Sequence, residues 1–338
     1  MPASSISPRR VTRMRIERTR PRLVAALAFG AIVLAAVGSL AEELSFSERA
    51  RAFDYDAKAP LDPQERSVET VDGVEVHDIS YASPKGGRVP AYLLVAPGTG
   101  RKAGLLFMHW GQGNRSEFLA EGLAAARAGA VCLMIDAPYH RDEFQGPTGM
   151  GNPPGERALF VQLVTDLRRG LDLLVARPDV DPARLGYVGH SLGATWGGAL
   201  VGVDHRLRAA VLMGGLPSLT DPSHSYTDEF WAQFREQFGE EKIRAYQALL
   251  GPLDPEHFVS HAAPTRLLFQ FARRDRFISD AAAKVYAAAA SAPKEVRWYF
   301  TGHELNDQAS LRDRAQWLSV QLRTRPIWAE LQRGSKQP

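Results

Sequence analysis

The sequence predicts an α/β protein built on a doubly wound, mostly parallel sheet. Short apolar segments alternate with amphipathic helical segments from residue 105 to residue 322. Parallel strands need long crossover connections, and helices supply them, so the alternation indicates a parallel sheet. Hydrophobic residues make up 45% of the 338 residues, which is enough for a large core.

The chain before residue 105 has a different pattern. Residues 42–65 form a polar lead-in, and we place the main domain at residues 66–325. Two extended segments, residues 74–81 and 89–95, flank the turn sequence Ser83-Pro84-Lys85-Gly86-Gly87. This arrangement predicts an N-terminal antiparallel hairpin at one edge of the sheet.

The alternating segments predict six strands and five helices. Ser116 is the expected N-cap of the first helix, and Gly129 is its expected stop. We expect strands at residues 105–109, 131–135, 185–188, 209–213, 265–271 and 296–300, and helices at residues 116–128, 157–176, 192–203, 281–290 and 307–322.

One segment interrupts the alternation. Residues 216–263 lie between two expected strands and contain a helical stretch, residues 228–250, in which Phe230, Phe234 and Phe238 are four residues apart. The segment is too long for a simple crossover and predicts a helical lid. We expect residues 326–338 to form a C-terminal tail.

The positive charge of the chain is concentrated at its start. Residues 1–41 hold seven arginines and one glutamate, a net charge of +6, whereas the remainder holds 34 basic and 37 acidic residues. The mildly acidic body argues against a nucleic-acid partner.

Residues 1–41 have the pattern of a signal peptide. An arginine-rich stretch precedes an uncharged run over residues 23–40, and Ser39-Leu40-Ala41 resembles a signal peptidase site. We expect cleavage after Ala41 and a periplasmic or secreted protein whose membrane contact is limited to the leader. The alternative is an anchor formed by residues 23–40, and either Met1 or Met14 is the start.

The clearest motif is Gly189-His190-Ser191-Leu192-Gly193. It has the G-x-S-x-G spacing, follows an expected strand and opens an expected helix. A nucleophilic serine needs this setting, because a strained strand-to-helix turn exposes its hydroxyl and flanking glycines let the backbone pass closely. We therefore predict that Ser191 is a catalytic nucleophile.

Acyl transfer by a serine needs two hydrogen-bond donors for the developing oxyanion. One is expected from the N–H of Leu192. The other should come from the loop His109-Trp110-Gly111-Gln112-Gly113-Asn114, with the N–H of Gly111 preferred over that of Trp110. We interpret His109 as a structural histidine that braces this loop.

The order nucleophile, acid, base along the chain points to the remaining partners. His303 follows the last expected strand, where this architecture places its base, and Asp275 follows the strand before it. Asp280 is the reserve acid, although its position favours a role at the start of a helix. The sequence has no cluster with metal-ligand spacing and no glycine-rich nucleotide loop, so we expect neither a metal nor a cofactor.

Other polar residues have weaker assignments. Asp136 follows an expected strand, but we interpret it as a residue that braces a loop and not as the catalytic acid. The residues after it, Tyr139, His140 and Arg141, are candidates for the rim of a pocket. The histidines of the lid region, at positions 224, 257 and 261, are interpreted as surface or packing residues.

Residues 109–118, 189–193, 271–278 and 302–318 together resemble the dienelactone hydrolase-like and acetyl xylan esterase-like branch of the α/β-hydrolases. The resemblance covers residues 70–322. It implies the α/β-hydrolase fold and cofactor-free hydrolysis of small esters through an acyl-enzyme. Dienelactone hydrolases have cysteine at the position of Ser191.

Two other functions compete with this interpretation. A serine peptidase of the prolyl oligopeptidase type shares the predicted triad, but such enzymes usually carry a propeller, for which residues 42–104 are too few. A binding protein on an inactive hydrolase fold is the second alternative. The oligomeric state and the natural ester are not encoded in any motif.

Overall fold

A nine-stranded sheet runs through the part of the chain that the computed structural model describes, residues 44–141 and 151–334. The predicted leader and its cleavage site lie outside these residues. The strands are β1 (Gln64–Val71), β2 (Val74–Ala82), β3 (Arg88–Val95), β4 (Lys102–Met108), β5 (Ala130–Ile135), β6 (Val180–His190), β7 (Leu207–Met213), β8 (Arg266–Ala272) and β9 (Lys294–Tyr299).

Helices cover both faces of the sheet. They are α1 (Phe46–Ala50), α2 (Leu119–Arg127), α3 (Pro153–Val175), α4 (Leu192–Val203), α5 (Asp228–Leu250), α6 (Glu256–Val259), α7 (Asp280–Ala289), α8 (Gln308–Leu322) and α9 (Ile327–Gly334). Within the described ranges, no helix combines the length and apolar character that a bilayer crossing requires.

The strand order is β1-β2-β3-β5-β4-β6-β7-β8-β9. The pairs from β5 through β4 to β9 are parallel, whereas β1/β2, β2/β3 and β3/β5 are antiparallel. The predicted doubly wound sheet with its N-terminal hairpin is therefore confirmed. Because the parallel strands end at one edge, the loops that follow β4, β6, β8 and β9 converge there.

The central strands are buried on both faces. In β4, Leu106 and Met108 belong to the core under α3 and α4, whereas Leu105 and Phe107 belong to the opposite core under α2 and α8. All four side chains are at most 2% exposed. Strands buried on both faces have continuous apolar sequences, which is why these segments were predicted as short apolar runs. Truncation of such a side chain costs about 3–5 kcal/mol.

One local expectation, the cap at Ser116, is corrected, and two elements were not predicted. Strand β1 lies inside the region taken as lead-in and domain start, and seven of its eight residues are exposed, so it lacks an alternating pattern. The first predicted helix begins at Leu119 with Phe118 as its N-cap residue, so Ser116 is not its cap; the Ser116 hydroxyl donates to Asn114 Oδ1 at 2.6 Å. Helix α9 occupies most of the segment expected as a tail.

Helix α5 spans the predicted helical stretch of the lid and packs on α3. Gly239, at φ +75°, interrupts it in the middle. The base of the lid is held by Asp254, whose buried carboxylate accepts hydrogen bonds from the hydroxyls of Ser218 and Thr220 and from the N–H of Leu219. The lid is thus fixed at its root and kinked at its centre.

Candidate active site

Ser191 occupies the turn between β6 and α4. Its backbone has φ +53° and ψ −111°, a conformation that a residue with a Cβ rarely adopts. The turn is held because the N–H of Ser191 donates to the carbonyl of Met213 on the neighbouring strand at 2.7 Å. Backbone strain of this kind costs about 1–3 kcal/mol and is typical of functional turns. The sequence-predicted turn is therefore present.

The two motif glycines are required by close backbone approaches. A Cβ on Gly189 would overlap the carbonyl of Gly193, and a Cβ on Gly193 would overlap the carbonyl of Met108 at the end of β4. A side chain at Gly189 would force β6 and α4 apart, and one at Gly193 would force α4 away from β4. The motif thus serves packing as well as exposure of the serine.

His303 and Asp275 lie on the loops after β9 and β8, beside the serine turn. His303 Nε2 lies 2.8 Å from Ser191 Oγ, and His303 Nδ1 lies 2.7 Å from Asp275 Oδ2. Both the histidine and the aspartate side chains are 4% exposed. In this arrangement Nδ1–H donates to the carboxylate, which leaves Nε2 free to accept the serine proton. The structure brings together the three residues selected from the sequence.

Asp275 is itself held in place. Its Oδ1 accepts hydrogen bonds from the N–H groups of Phe277 at 2.9 Å and Ile278 at 3.0 Å. The ring of Phe277 lies edge-on to His303, with centroids 5.0 Å apart. The reserve residue, Asp280, is half exposed, begins α7 and pairs with Arg273 at 3.0 Å, away from the histidine. Ser279 is the actual cap of that helix.

Of the three predicted oxyanion donors, the N–H groups of Leu192, Gly111 and Trp110, one is already engaged in another hydrogen bond. The N–H of Leu192 is the first donor of α4, where helix geometry leaves it without an intrahelical acceptor. Gly111 lies close to it, since a Cβ there would be 3.9 Å from Leu192 Cδ2. The N–H of Trp110 donates to Glu117 Oε2 at 2.8 Å, so the expectation of Trp110 as a donor is corrected.

The loop that carries Gly111 is braced from behind. His109 Nδ1 donates to the carbonyl of Trp110 at 2.6 Å, and His109 Nε2 accepts from the N–H of Ala137 at 3.0 Å. Burial lowers the pKa of His109, which agrees with a neutral ring bridging a donor and an acceptor. His140 Nε2 lies 3.0 Å from the carbonyl of Gly111. His109 therefore has the bracing role expected from its position.

Asp136 also braces this region. Its Oδ1 accepts from the N–H of Arg115 at 2.7 Å. Two of the three residues expected at the pocket rim lie near the site. Tyr139 lines a cavity beside Ser191, and His140 contacts the loop that carries Gly111. Arg141 is not a rim residue, because it is buried in an ion pair with Asp166 at 2.7 Å.

A cavity of about 290 Å³ opens beside Ser191, under the lid. Its wall is mainly apolar, and burial raises the pKa of Tyr139 within it. None of the three lid histidines is among the described residues that line it. The apolar lining includes Leu159, Phe160, Leu216, Leu219, Phe230 and Ile278, and the polar lining includes Glu156, Thr195 and Tyr226.

Two residues that contact this site, Glu117 and His190, were not identified from the sequence. Glu117 Oε1 lies 2.6 Å from His190 Nδ1, and His190 Nε2 lies 3.0 Å from the carbonyl oxygen of His303. Because Glu117 and His190 are 73 positions apart, no local pattern connects them. Among residues 44–141 and 151–334, no group of three or more metal-ligating side chains comes together.

The chain was compared with known proteins at three levels. No protein-family model and no curated protein sequence matches it. Among solved structures, acetyl xylan esterase 1 from Thermoanaerobacterium sp. is 17% identical with a TM-score of 0.67, covering 82% of this chain and 93% of that one. The acetyl xylan esterase from Paenibacillus sp. R4 is 20% identical with a TM-score of 0.66, covering 81% and 92%.

The fold is that of the α/β-hydrolases. An esterase from Pyrococcus furiosus has the same α/β-hydrolase architecture at 14% identity and a TM-score of 0.52, covering 79% of this chain and 98% of that one. The resemblance to the acetyl xylan esterase-like branch, noted from the motifs, is thus confirmed at the level of the α/β-hydrolase fold.

Proposed function

We propose that the protein is an exported serine hydrolase that cleaves carboxylic esters. The observation that carries the proposal is the hydrogen-bond chain from Asp275 through His303 to Ser191, placed beside an apolar cavity. A serine hydroxyl becomes a useful nucleophile only when a base oriented by a third group takes its proton. The esterases that share the fold add support for this class of reaction.

The first half-reaction forms an acyl-enzyme. Ser191 Oγ attacks the ester carbonyl carbon while its proton passes to His303 Nε2. The carbonyl π electrons move onto oxygen, and the tetrahedral oxyanion accepts hydrogen bonds from the N–H groups of Leu192 and Gly111. When the oxyanion collapses, the bond to the alcohol oxygen breaks and His303 returns the proton to the departing alcohol. Asp275 stabilises the imidazolium without taking its proton.

The second half-reaction releases the acid. Water attacks the acyl carbon, His303 takes one water proton, and collapse of the second oxyanion frees Ser191, which recovers the proton. Each oxyanion donor of this kind contributes about 2.7–4 kcal/mol to the barrier reduction. The side chains and water complete both steps, so the proposed reaction includes no cofactor.

We further propose that the acyl group is short. The cavity of about 290 Å³ lies just below the range of about 300–1,000 Å³ that is typical of small-molecule sites. Phe230 from the lid and Phe160 from α3 form part of its wall, and Trp110 narrows it beside the oxyanion loop. An acetyl to butyryl group suits this volume better than a long alkyl chain.

The proposal of export rests on the leader. Its seven arginines, the apolar run over residues 23–40 and Ser39-Leu40-Ala41 have the order of a secretory signal. A cleaved leader favours a periplasmic or secreted enzyme over an anchored one.

A peptidase remains the second candidate, because a prolyl endopeptidase shares the fold at 18% identity and a TM-score of 0.57. This chain covers only 39% of that protein, which has a large additional part. The esterases of the same fold are instead covered to at least 92% of their length. Ester hydrolysis is therefore the preferred function.

The test is hydrolysis of p-nitrophenyl acetate and butyrate beside a panel of peptide anilides, with Ser191→Ala as the control. We expect ester turnover, negligible anilide turnover and labelling of Ser191 by a fluorophosphonate. The alanine variant should lose on the order of a millionfold in kcat, by analogy with a disabled triad. A folded Ser191→Ala variant that hydrolyses esters at the wild-type rate would refute the proposal, and absence of labelling would favour a binding protein.

A further inference from the structure

A single carboxylate joins the oxyanion loop to the serine turn. Glu117 Oε2 accepts from the N–H of Trp110 at 2.8 Å, and Glu117 Oε1 lies 2.6 Å from His190 Nδ1. The other ring nitrogen of His190 lies 3.0 Å from the carbonyl oxygen of His303. Trp110 precedes the donor Gly111 and His190 precedes Ser191, so the connection reaches the immediate neighbours of both groups.

The hydrogen bonds fix the orientation of the His190 ring. The carbonyl oxygen of His303 can only accept a hydrogen bond, so Nε2 of His190 must carry a hydrogen. The opposite nitrogen, Nδ1, faces Glu117 Oε1, and one hydrogen lies between these two atoms. The side chains of His190 and Glu117 are 5% and 20% exposed. With that hydrogen counted, the pair is neutral and adds no net charge beside His303.

We propose that the hydrogen-bonded Glu117–His190 pair is a positioning device for the reaction proposed above. It holds the Gly111 loop and the backbone of His303 to the same serine turn, so the second oxyanion donor and the base keep a fixed separation. Neither residue touches the reacting atoms. The inference rests on the proposed esterase function and specifies which other residues set its rate.

The surroundings supply a matched control. Glu117 and His190 line a second cavity of about 290 Å³ together with Glu121 and Glu304. Glu121 is already bound in a bidentate pair with Arg314, at 2.6 and 2.8 Å. Glu304 is exposed and lines the same cavity. Glu304→Gln therefore makes the same chemical change at the same cavity without affecting the pair.

The decisive comparison is between Glu117→Gln and Glu117→Asp. Glutamine has the size of glutamate but only one acceptor oxygen, so it cannot accept from both Trp110 and His190. Aspartate is shorter but keeps the charge and both acceptors. If the Glu117–His190 pair positions the site, kcat should fall in the order wild type, Glu117→Asp, Glu117→Gln. If Glu117 only fills space, Glu117→Gln should be more active than Glu117→Asp.

We expect Glu117→Gln to lower kcat and kcat/KM for p-nitrophenyl acetate by similar factors of about 10–100, with KM within about twofold. A displaced catalytic group has an effect of this size, and equal losses in both constants mark an interaction made in the transition state. Glu304→Gln should keep both constants within about twofold. Glu117→Gln that behaves like Glu304→Gln, or that is more active than Glu117→Asp, would overturn the proposal.

A second measurement needs no change at Glu117. In the full-length protein with ¹⁵N-labelled histidine, we expect the spectrum to show Nε2 of His190 protonated, with His190→Gln used for assignment. An unprotonated Nε2 in that ring would also overturn the proposal. If the wild type hydrolyses no ester at all, the proposed function fails, and the spectrum still decides the state of the pair.

Discussion

Asp275 and His303 are 28 residues apart in sequence, yet the carboxylate Oδ2 lies 2.7 Å from the imidazole Nδ1. They come from the loops after β8 and β9, two neighbouring parallel strands that end at the same edge of the sheet. The other carboxylate oxygen is held by two backbone N–H groups, so the aspartate cannot turn away from the ring. This contact sets the tautomer on which the proposed chemistry depends.

Asp275→Asn should reduce kcat by about four orders of magnitude with little change in stability, because an amide in this position favours the wrong imidazole tautomer. Steady-state kinetics with p-nitrophenyl acetate and a thermal melt give the measurement. Asp280→Asn is the matched control, since Asp280 pairs with Arg273 on the surface. Collapse of activity in the control and not in Asp275→Asn would identify Asp280 as the acid.

His303→Ala should be nearly as damaging as Ser191→Ala, because it removes the only ring that contacts Ser191 Oγ among the described residues. His261→Ala is the control, since His261 stacks on Phe46 with ring centroids 3.8 Å apart and lies outside the cavity lining. We expect the control to keep kcat within about twofold. An essential His261 combined with a dispensable His303 would mean that the base is misassigned.

The wall of the cavity predicts the preferred acyl length. Across a p-nitrophenyl ester series, kcat/KM should be highest from acetate to butyrate and should fall steeply at ten or more carbons. Phe230→Ala removes a lid ring from the wall and should shift the maximum towards longer chains. A wild-type maximum at long chains would instead indicate an open, lipase-like surface.

Asp254 predicts a pH dependence of stability. Burial, opposed by its three hydrogen-bond donors, raises the pKa of this carboxyl from 3.8 to about 6 in the folded protein. The folded state therefore holds the proton more tightly than the unfolded state, and the associated stability is present below pH 3.8 and lost as the pH rises through 6. The loss amounts to about 3 kcal/mol at most.

Urea unfolding of the wild type and Asp254→Asn isolates this effect from the other carboxyl groups. Asparagine stays neutral, so the free energy of unfolding of the variant relative to the wild type should rise between pH 4 and pH 7. A difference between the two proteins that stays constant with pH would show that the carboxyl group titrates normally.

The leader should be removed after Ala41 when the protein is exported. The small residues Ser39 and Ala41 stand at the positions that a signal peptidase reads. N-terminal sequencing of the protein recovered from its native compartment gives the answer. A chain that keeps residues 23–40 and sediments with membranes would show that the run is an anchor.

Most of the sheet was predictable because its central strands are buried on both faces, which leaves continuous apolar runs such as residues 105–108 in the sequence. Strand β1 was not predictable in this way, since it is almost fully exposed and is defined by its pairing with β2. The first predicted helix begins three residues later than expected, and Ser116 forms a local hydrogen bond with Asn114 instead of capping it.

The positions of Ser191, Asp275 and His303 followed from chain order, because each stands directly after a recognisable strand. No local pattern in the sequence predicts the hydrogen bond between Glu117 and His190. It depends on where the start of α2 lies relative to the end of β6, a relationship that only the folded sheet defines. For the same reason, the sequence could not show that the N–H of Trp110 donates a hydrogen bond to Glu117.

The order of the three residues along the chain has a consequence for biosynthesis. Ser191 follows β6, a central strand, whereas His303 follows β9, the last strand and an outer edge of the sheet. A nascent chain that stops before residue 303 can form most of the core but has no base for its serine. Activity therefore cannot precede synthesis of the segment through residue 303, and in pulse-labelled cells hydrolytic activity would report only chains that extend beyond it.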